Sequence, residues 1–176
     1  AGFTHWAKLN NLKQAAKTMN FLTEHGISSY GELESKLNAV SARRDTAHAE
    51  IKRIESRSAE LALVMKHAGT YRQLKPLYDR YRKSNDKEKF LRGHESEIIL
   101  FEAAARELKR LGAVPLPTTE SMKTELANLN AEKERLLAEY KAARTEAQEY
   151  ETVKQNVDAL LTVAKEQEQQ RRHELE

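Results

Sequence analysis

The residues best suited to chemistry lie between Tyr71 and Lys83: Tyr71-Arg72-Gln73-Leu74-Lys75-Pro76-Leu77-Tyr78-Asp79-Arg80-Tyr81-Arg82-Lys83. Three tyrosines alternate with five basic residues. Guanidinium and ammonium groups neutralise phosphates, and phenol rings stack on unpaired bases. Arg72, Lys75, Arg80, Arg82 and Lys83, with Lys87 and Lys89 just beyond, are the candidate phosphate contacts, and Tyr78 and Tyr81 the candidate stacking residues. The same spacing also suits a helix that turns Tyr71, Leu74 and Tyr78 inward and covers them with Arg and Lys. Both readings stand at the level of sequence.

Charge sharpens the first reading. The chain is only +3 overall, yet Lys66 to Arg92 holds nine basic residues against Asp79, Asp86 and Glu88. The remaining residues are net acidic. A basic patch confined to one short stretch marks a surface for a polyanion or an acidic partner.

Other chemistry is poorly represented. The six histidines (His5, His25, His48, His67, His94 and His173) include no pair at i, i+4 and no HxH or HExxH. No metal site or cofactor is expected from such spacing. His94 falls on an apolar helix stripe, where a hydrogen-bonded, partly buried ring is expected. There is no cysteine, so disulfides, thiolate metal sites and a Cys nucleophile are excluded. That absence suits a reducing compartment, and a cytoplasmic location is expected. No GxSxG and no Gly-rich phosphate loop occurs. Ser and Thr cluster at helix starts, where they serve as caps. Carboxylates such as Glu132 stand beside Lys133 and Arg135 and read as solvated pairs. No catalytic constellation emerges, and no enzyme is expected.

No apolar run reaches the length of a membrane span, and nothing at the N-terminus reads as a signal peptide. The chain opens Ala1-Gly2-Phe3 without Met, as it would after Met removal or excision from a longer protein.

The elements that must position the basic stretch are long helices. One heptad seam runs Leu33, Leu37, Val40, Arg44, Ala47, Ile51, Ile54, Ser58, Leu61, Met65, Ala68. A second runs Met122, Leu126, Leu129, Lys133, Leu136, Tyr140, Ala143, Ala147, Tyr150, Lys154, Val157, Leu161, Ala164. Alternating steps of four and three are the a/d pattern of a left-handed coiled coil. Charged residues at 32% with few aromatics fit long helices with a narrow core.

A first helix is expected from Thr4 to His25, capped by Thr4, with Leu9, Leu12, Ala16 and Met19 as its buried stripe and Gly26 at its C′ position. Phe3 and Trp6 either pack at the base or anchor a neighbouring domain. Ser29-Tyr30-Gly31-Glu32 is a capping box opening the second helix. Gly69 and Pro76 predict a break over Gly69 to Lys75, then a short helix to Lys83. Asn85-Asp86-Lys87-Glu88 starts a third helix, with Leu91, Ile98, Phe101, Ala105 and Leu108 inward and Gly112 at its end. Val114 to Pro117 is a linker, and Thr118 or Thr119 caps the fourth helix. The expected architecture is all-α. Residues 1–165 form one elongated domain: base helix 1–27, arm helix 28–69, basic helical tip and linker 70–118, return arm helix 119–165. A frayed tail occupies 166–176. The arm helices pair antiparallel, placing Ala68 near Met122 and Leu33 near Val157, unless two chains exchange them as a dimer.

With these residues in view, the chain resembles the region downstream of the nuclease domain in mobilisation relaxases, the MobA-like conjugation proteins of mobile elements in Gram-positive gut bacteria. The likeness lies in Trp6-Ala7-Lys8-Leu9-Asn10-Asn11-Leu12-Lys13-Gln14-Ala15-Ala16-Lys17, in Phe21-Leu22-Thr23-Glu24-His25-Gly26-Ile27, in Lys75 to Arg82, in Phe90 to Ala104 and in Tyr150 to Leu160. Such relaxases nick one DNA strand with a Tyr nucleophile and a His-cluster metal site in an N-terminal domain. This chain lacks those motifs, so no Tyr is carried over as nucleophile. The resemblance implies a non-catalytic accessory region whose partners are DNA (single-stranded or an origin hairpin), the nuclease domain of the same chain and proteins of the transfer machinery. The rival expectation is a coiled-coil interaction or oligomerisation module that binds no DNA.

Overall fold

The computed structural model describes the backbone of residues 2–174 and the side chains of residues 11–173. Four helices follow one another: α1 (Gly2–Glu24), α2 (Tyr30–Lys83), α3 (Lys87–Arg110) and α4 (Thr119–Glu174). No strand occurs among the described residues. The protein is all-α, and the long helices α2 and α4 pack together as an antiparallel coiled-coil arm. No described helix is long and apolar enough to cross a membrane.

Both heptad runs form the seam. Leu33, Val40, Ala47, Ile51, Ile54, Leu61 and Ala68 of α2 are buried, as are Met122, Leu136, Ala143, Ala147 and Tyr150 of α4. Two compact units divide the chain, residues 1–48 with 137–176 and residues 49–136.

In the first unit, Ile27, Leu33, Val40, Ala147, Tyr150 and Val153 form the core. Ser29 caps α2, its Oγ accepting from the Glu32 N–H at 3.2 Å. The Glu32 carboxylate reaches one residue further back than a capping box requires and accepts from the Ser28 N–H at 2.7 Å. That bond and the Ser28 hydroxyl hold the Glu32 carboxyl below its ordinary range. Gly26 has φ 60°, and Ile27 N–H donates back to the Leu22 carbonyl at 2.8 Å. This closes α1 as a Schellman turn that a Cβ would strain. Tyr30 at the start of α2 donates its hydroxyl to Asp158 at 2.7 Å. Lys154 donates to the other oxygen of that carboxylate at 3.1 Å. The Tyr30 hydroxyl and the Lys154 ammonium together hold the Asp158 carboxyl below its usual range.

The expected face of α1 is corrected. Leu12 and Met19 are 67% and 58% exposed, and Ala16 on the same stripe is exposed as well. Thr18, Phe21 and Leu22 turn inward instead. Asn156 Nδ2 donates to the buried Thr18 hydroxyl at 3.1 Å, and Phe21 meets Tyr150 edge-on with centroids 5.0 Å apart. One polar bond and one aromatic contact outweigh the more apolar stripe. The first helix starts at Gly2 rather than at Thr4, which therefore lies inside it, and the expectations for Phe3, Trp6 and Leu9 fall outside the described side chains. The α4 seam is covered only through Val157. Leu161 and Ala164 are exposed, because α2 begins at Tyr30, level with Asp158. From Glu166 to Glu174 the chain continues α4, and its described side chains there are exposed.

In the second unit, Leu61, Val64 and Ala68 of α2, Leu108 of α3, Ala113 and Met122 of α4 share a core. The expected break over Gly69 to Lys75 does not occur, since α2 runs unbroken to Lys83 with Pro76 inside it. A helical Pro costs about 3 kcal/mol and a Gly about 1 kcal/mol. Tyr71 and Tyr78 offset that cost by both stacking on Phe101 of α3, at 4.8 and 4.2 Å between centroids. Two rings two helical turns apart reach one ring only if the helix between them is intact. Gly112 has φ 67° and ends α3 as expected, with Ala113 N–H donating to the Leu108 carbonyl at 2.9 Å. Thr118 is the cap of α4, its Oγ accepting from the Ser121 N–H at 3.1 Å.

Ile54 is 0% exposed. Ile54→Ala should cost about 2–5 kcal/mol, read as a lowered urea midpoint by far-UV circular dichroism. Asp158→Asn tests the Tyr30–Lys154 cluster. A carboxyl depressed in the fold contributes stability that is complete above its unfolded pKa of about 4 and lost as pH falls through the lower folded value. The wild type should therefore exceed the variant in stability at neutral pH, and the gap should close on acidification below pH ~4.

Candidate nucleic-acid interface

The basic stretch lies wholly in the second unit, on the last three turns of α2, the turn Ser84-Asn85-Asp86 and the first turns of α3. Continuity of α2 sorts its residues. Tyr71, Leu74, Tyr78 and Tyr81, spaced three and four apart, make a half-buried stripe directed at α3. Tyr78 lies on Phe101, and Tyr81 is 5.9 Å from Tyr78 and 6.1 Å from Phe90 between ring centroids. Their ring surface is thus used within the protein. The basic side chains lie off this stripe and are exposed.

The seven expected phosphate contacts fall into two groups. Arg72 is engaged at the start of α4. One guanidinium nitrogen donates to Thr119 Oγ1 at 2.8 Å and the other to the Pro117 carbonyl. Lys75 pairs with Asp79 one turn on, at 3.0 Å, and the Asp79 carboxylate raises the Lys75 pKa. Arg80, Arg82, Lys83, Lys87 and Lys89 form the second group. None of their side chains takes part in an ion pair among the described residues. Among the local acids, Asp79 pairs with Lys75, Asp86 caps α3, accepting from the Lys89 N–H at 3.0 Å, and the exposed Glu88 lies 3.9 Å from Arg92. Five uncompensated cations within ten residues therefore ring the α2–α3 turn.

These cations carry an internal cost. Arg80, Arg82 and Lys83 at a helix C-terminus are favourable to the α2 dipole, but Lys87 and Lys89 occupy the first turn of α3, where positive charge is unfavourable. An anion at the turn would relieve both the mutual repulsion and that dipole mismatch. Long exposed cations on a helix turn can neutralise phosphates without reading bases.

The turn is anchored by α3. Its helix is interrupted at His94 (φ −141°, ψ 26°). The His94 ring lies against Phe90 with centroids 4.9 Å apart. The hydrogen bond expected for this histidine is not formed, since Nδ1 is 3.5 Å from the Glu97 carboxylate and lacks a hydrogen-bond partner. Among the described residues no group of three or more His, Asp or Glu is placed to hold a metal ion. What sequence reasoning missed is the division of labour between Arg72 and the rest. The signal was Thr118-Thr119 after Pro117, a helix start whose carbonyl and hydroxyl oxygens attract a nearby guanidinium.

Comparison with family models, with curated proteins and with solved structures finds no match.

Tyr78→Ala removes a packed ring and should lower stability by about 1–3 kcal/mol. Arg82→Ala, at an exposed unpaired position, should leave the urea midpoint within experimental error. Equal destabilisation in the two variants would show that the basic residues, too, are structural.

Proposed function

We propose that this chain is a non-catalytic accessory region of a conjugative relaxase that holds DNA by its backbone through the α2–α3 turn. Working in the cytoplasm, it would lie beside the nuclease domain of the same longer chain and the proteins of the transfer machinery. The resemblance to MobA-like relaxases supplies the setting. The observation that carries the DNA-binding role itself is the set of five cations, Arg80, Arg82, Lys83, Lys87 and Lys89, left without carboxylate partners while Asp79 and Asp86 are engaged elsewhere. Arg72 and Lys75 contribute less to this surface, because each already has an internal partner. Tyr78 and Tyr81 act in this reading as the packing that holds the turn in place, with Phe101 and Phe90 as their neighbours.

Recognition confined to phosphates implies sequence-tolerant binding and strong salt dependence. The binding surface consists of exposed cationic side chains, so affinity rests on charge more than on buried area.

Fluorescence anisotropy with labelled single-stranded, duplex and hairpin DNA at two salt concentrations tests this. Binding should weaken steeply with salt and fall at least tenfold in Arg80→Glu/Arg82→Glu. Each cation withdrawn from a phosphate should lessen the slope of log K against log salt by about 0.9 on duplex and about 0.7 on single strands. Arg43→Glu, which breaks an arm ion pair with Glu146, serves as a charge control and should weaken binding less. Absence of binding at low salt would transfer the function to protein docking.

A further inference from the structure

A second surface, on α1 in the first unit, has a pattern that the unit itself leaves unused. Leu12, Ala16 and Met19 repeat at four and three residues, the spacing of a coiled-coil seam. All three are exposed, Leu12 and Met19 by 67% and 58%. The face of α1 that packs on α4 is a different one, fixed by the buried Thr18 hydroxyl and its bond from Asn156. A heptad stripe on the free side of a packed helix presents holes for the knobs of one more helix.

Charge decides what kind of helix. From Gly2 to Thr23 the sequence has Lys8, Lys13 and Lys17 and no Asp or Glu. Lys13 follows Leu12 at a position that flanks the seam, where charge selects the partner. Lys13 and Lys17 are exposed and take part in no ion pair among the described residues. A second copy of α1 would set Lys13 against lysine across the seam.

We infer that the Leu12–Ala16–Met19 face of α1 docks an amphipathic helix of another protein, one whose apolar heptad stripe is flanked by Glu or Asp. This docking is independent of the basic turn between α2 and α3. Binding combines knobs-into-holes packing on Leu12 and Met19 with attraction of Lys13, beside the seam, for the flanking carboxylates, and Lys17, next to Ala16 but further round the helix, adds to the positive field. It weakens with salt, since those charges are exposed.

The probe is a fluorescein-labelled peptide of three heptads with Leu at a and d and Glu at e and g, titrated with the full chain. The same peptide with Lys at e and g is the control. The acidic peptide should bind and the basic one should not. Leu12→Ser/Met19→Ser should cut affinity at least tenfold with an unchanged far-UV spectrum, since both positions are exposed. Lys13→Glu/Lys17→Glu should transfer preference to the basic peptide, and Arg80→Glu/Arg82→Glu should change nothing. Failure to bind either peptide would overturn the inference, as would equal binding of both. A dimer by analytical ultracentrifugation that Met19→Asp dissociates would overturn it too, assigning the face to a second copy.

Discussion

In each unit a seam about one side chain wide has to hold a segment of α2 and a segment of α4 in one register. Apolar side chains alone do this poorly, because a slide of one heptad restores nearly the same apolar packing. The polar seam positions remove that degeneracy. Lys133 meets Glu55 at 3.0 Å, and Arg44 pairs with the adjacent Asp45 at 2.8 Å and lies 3.9 Å from Glu151 of α4. Sliding α4 by seven residues would bring Leu126 or Tyr140 opposite Glu55 in place of Lys133. Arg44 would meet Arg144 in one direction and Asp158 in the other. The Arg57–Glu125 pair, 2.7 Å apart, would give way to Thr118 or shift to Glu132. These bridges are partly exposed, so each adds little stability by itself. Their value lies in making the alternatives worse.

Register then determines where everything else can go. Setting α2 against α4 places the second half of α2 where α3 can close a three-helix core over Leu61, Val64, Ala68, Leu108 and Met122. The stacking of Tyr71 and Tyr78 on Phe101 follows from that closure, and it carries α2 straight through Pro76. A turn built this way is firm beneath and charged above. The tyrosines face inward because α3 supplies aromatic partners, and the cations face outward because nothing within the unit neutralises them.

Much of this was legible in the amino-acid order. The two heptad runs identified nearly every buried seam position, because period is a property of many residues and survives local noise. Gly26, Gly112, Ser29, Asp86 and Thr118 were legible as caps for a different reason: each satisfies a backbone requirement set within a few residues. The failures share one cause. The Gly69–Lys75 break, the inward stripe of α1 and the covered length of the α4 seam all depended on a neighbour from elsewhere in the chain. Local propensity placed a break at Pro76, and Phe101, some twenty-five positions away, overrode it. The most apolar stripe of α1 was the reasonable one to bury, but Thr18 found Asn156 on α4.

The candidate surface shows the same division. That the stretch is basic could be counted from residue types, whereas which cations are free could not. Arg72 and Arg82 look alike in sequence, each following a tyrosine. Arg72 sits at the level of Pro117 and Thr119, whose oxygens take both arms of its guanidinium. Arg82 is almost three turns further along α2, beyond the start of α4, and no carboxylate or carbonyl of the described residues meets it. Availability for a phosphate is therefore a consequence of stagger: α2 continues to Lys83, past the level at which α4 starts. The same mismatch at the other end of α4 leaves Leu161 and Ala164 uncovered where α2 has not yet begun. Staggered helix ends, set by the positions of Ser29, Lys83 and Thr118, thus leave the charged surface of one unit and apolar seam positions of the other without an internal partner.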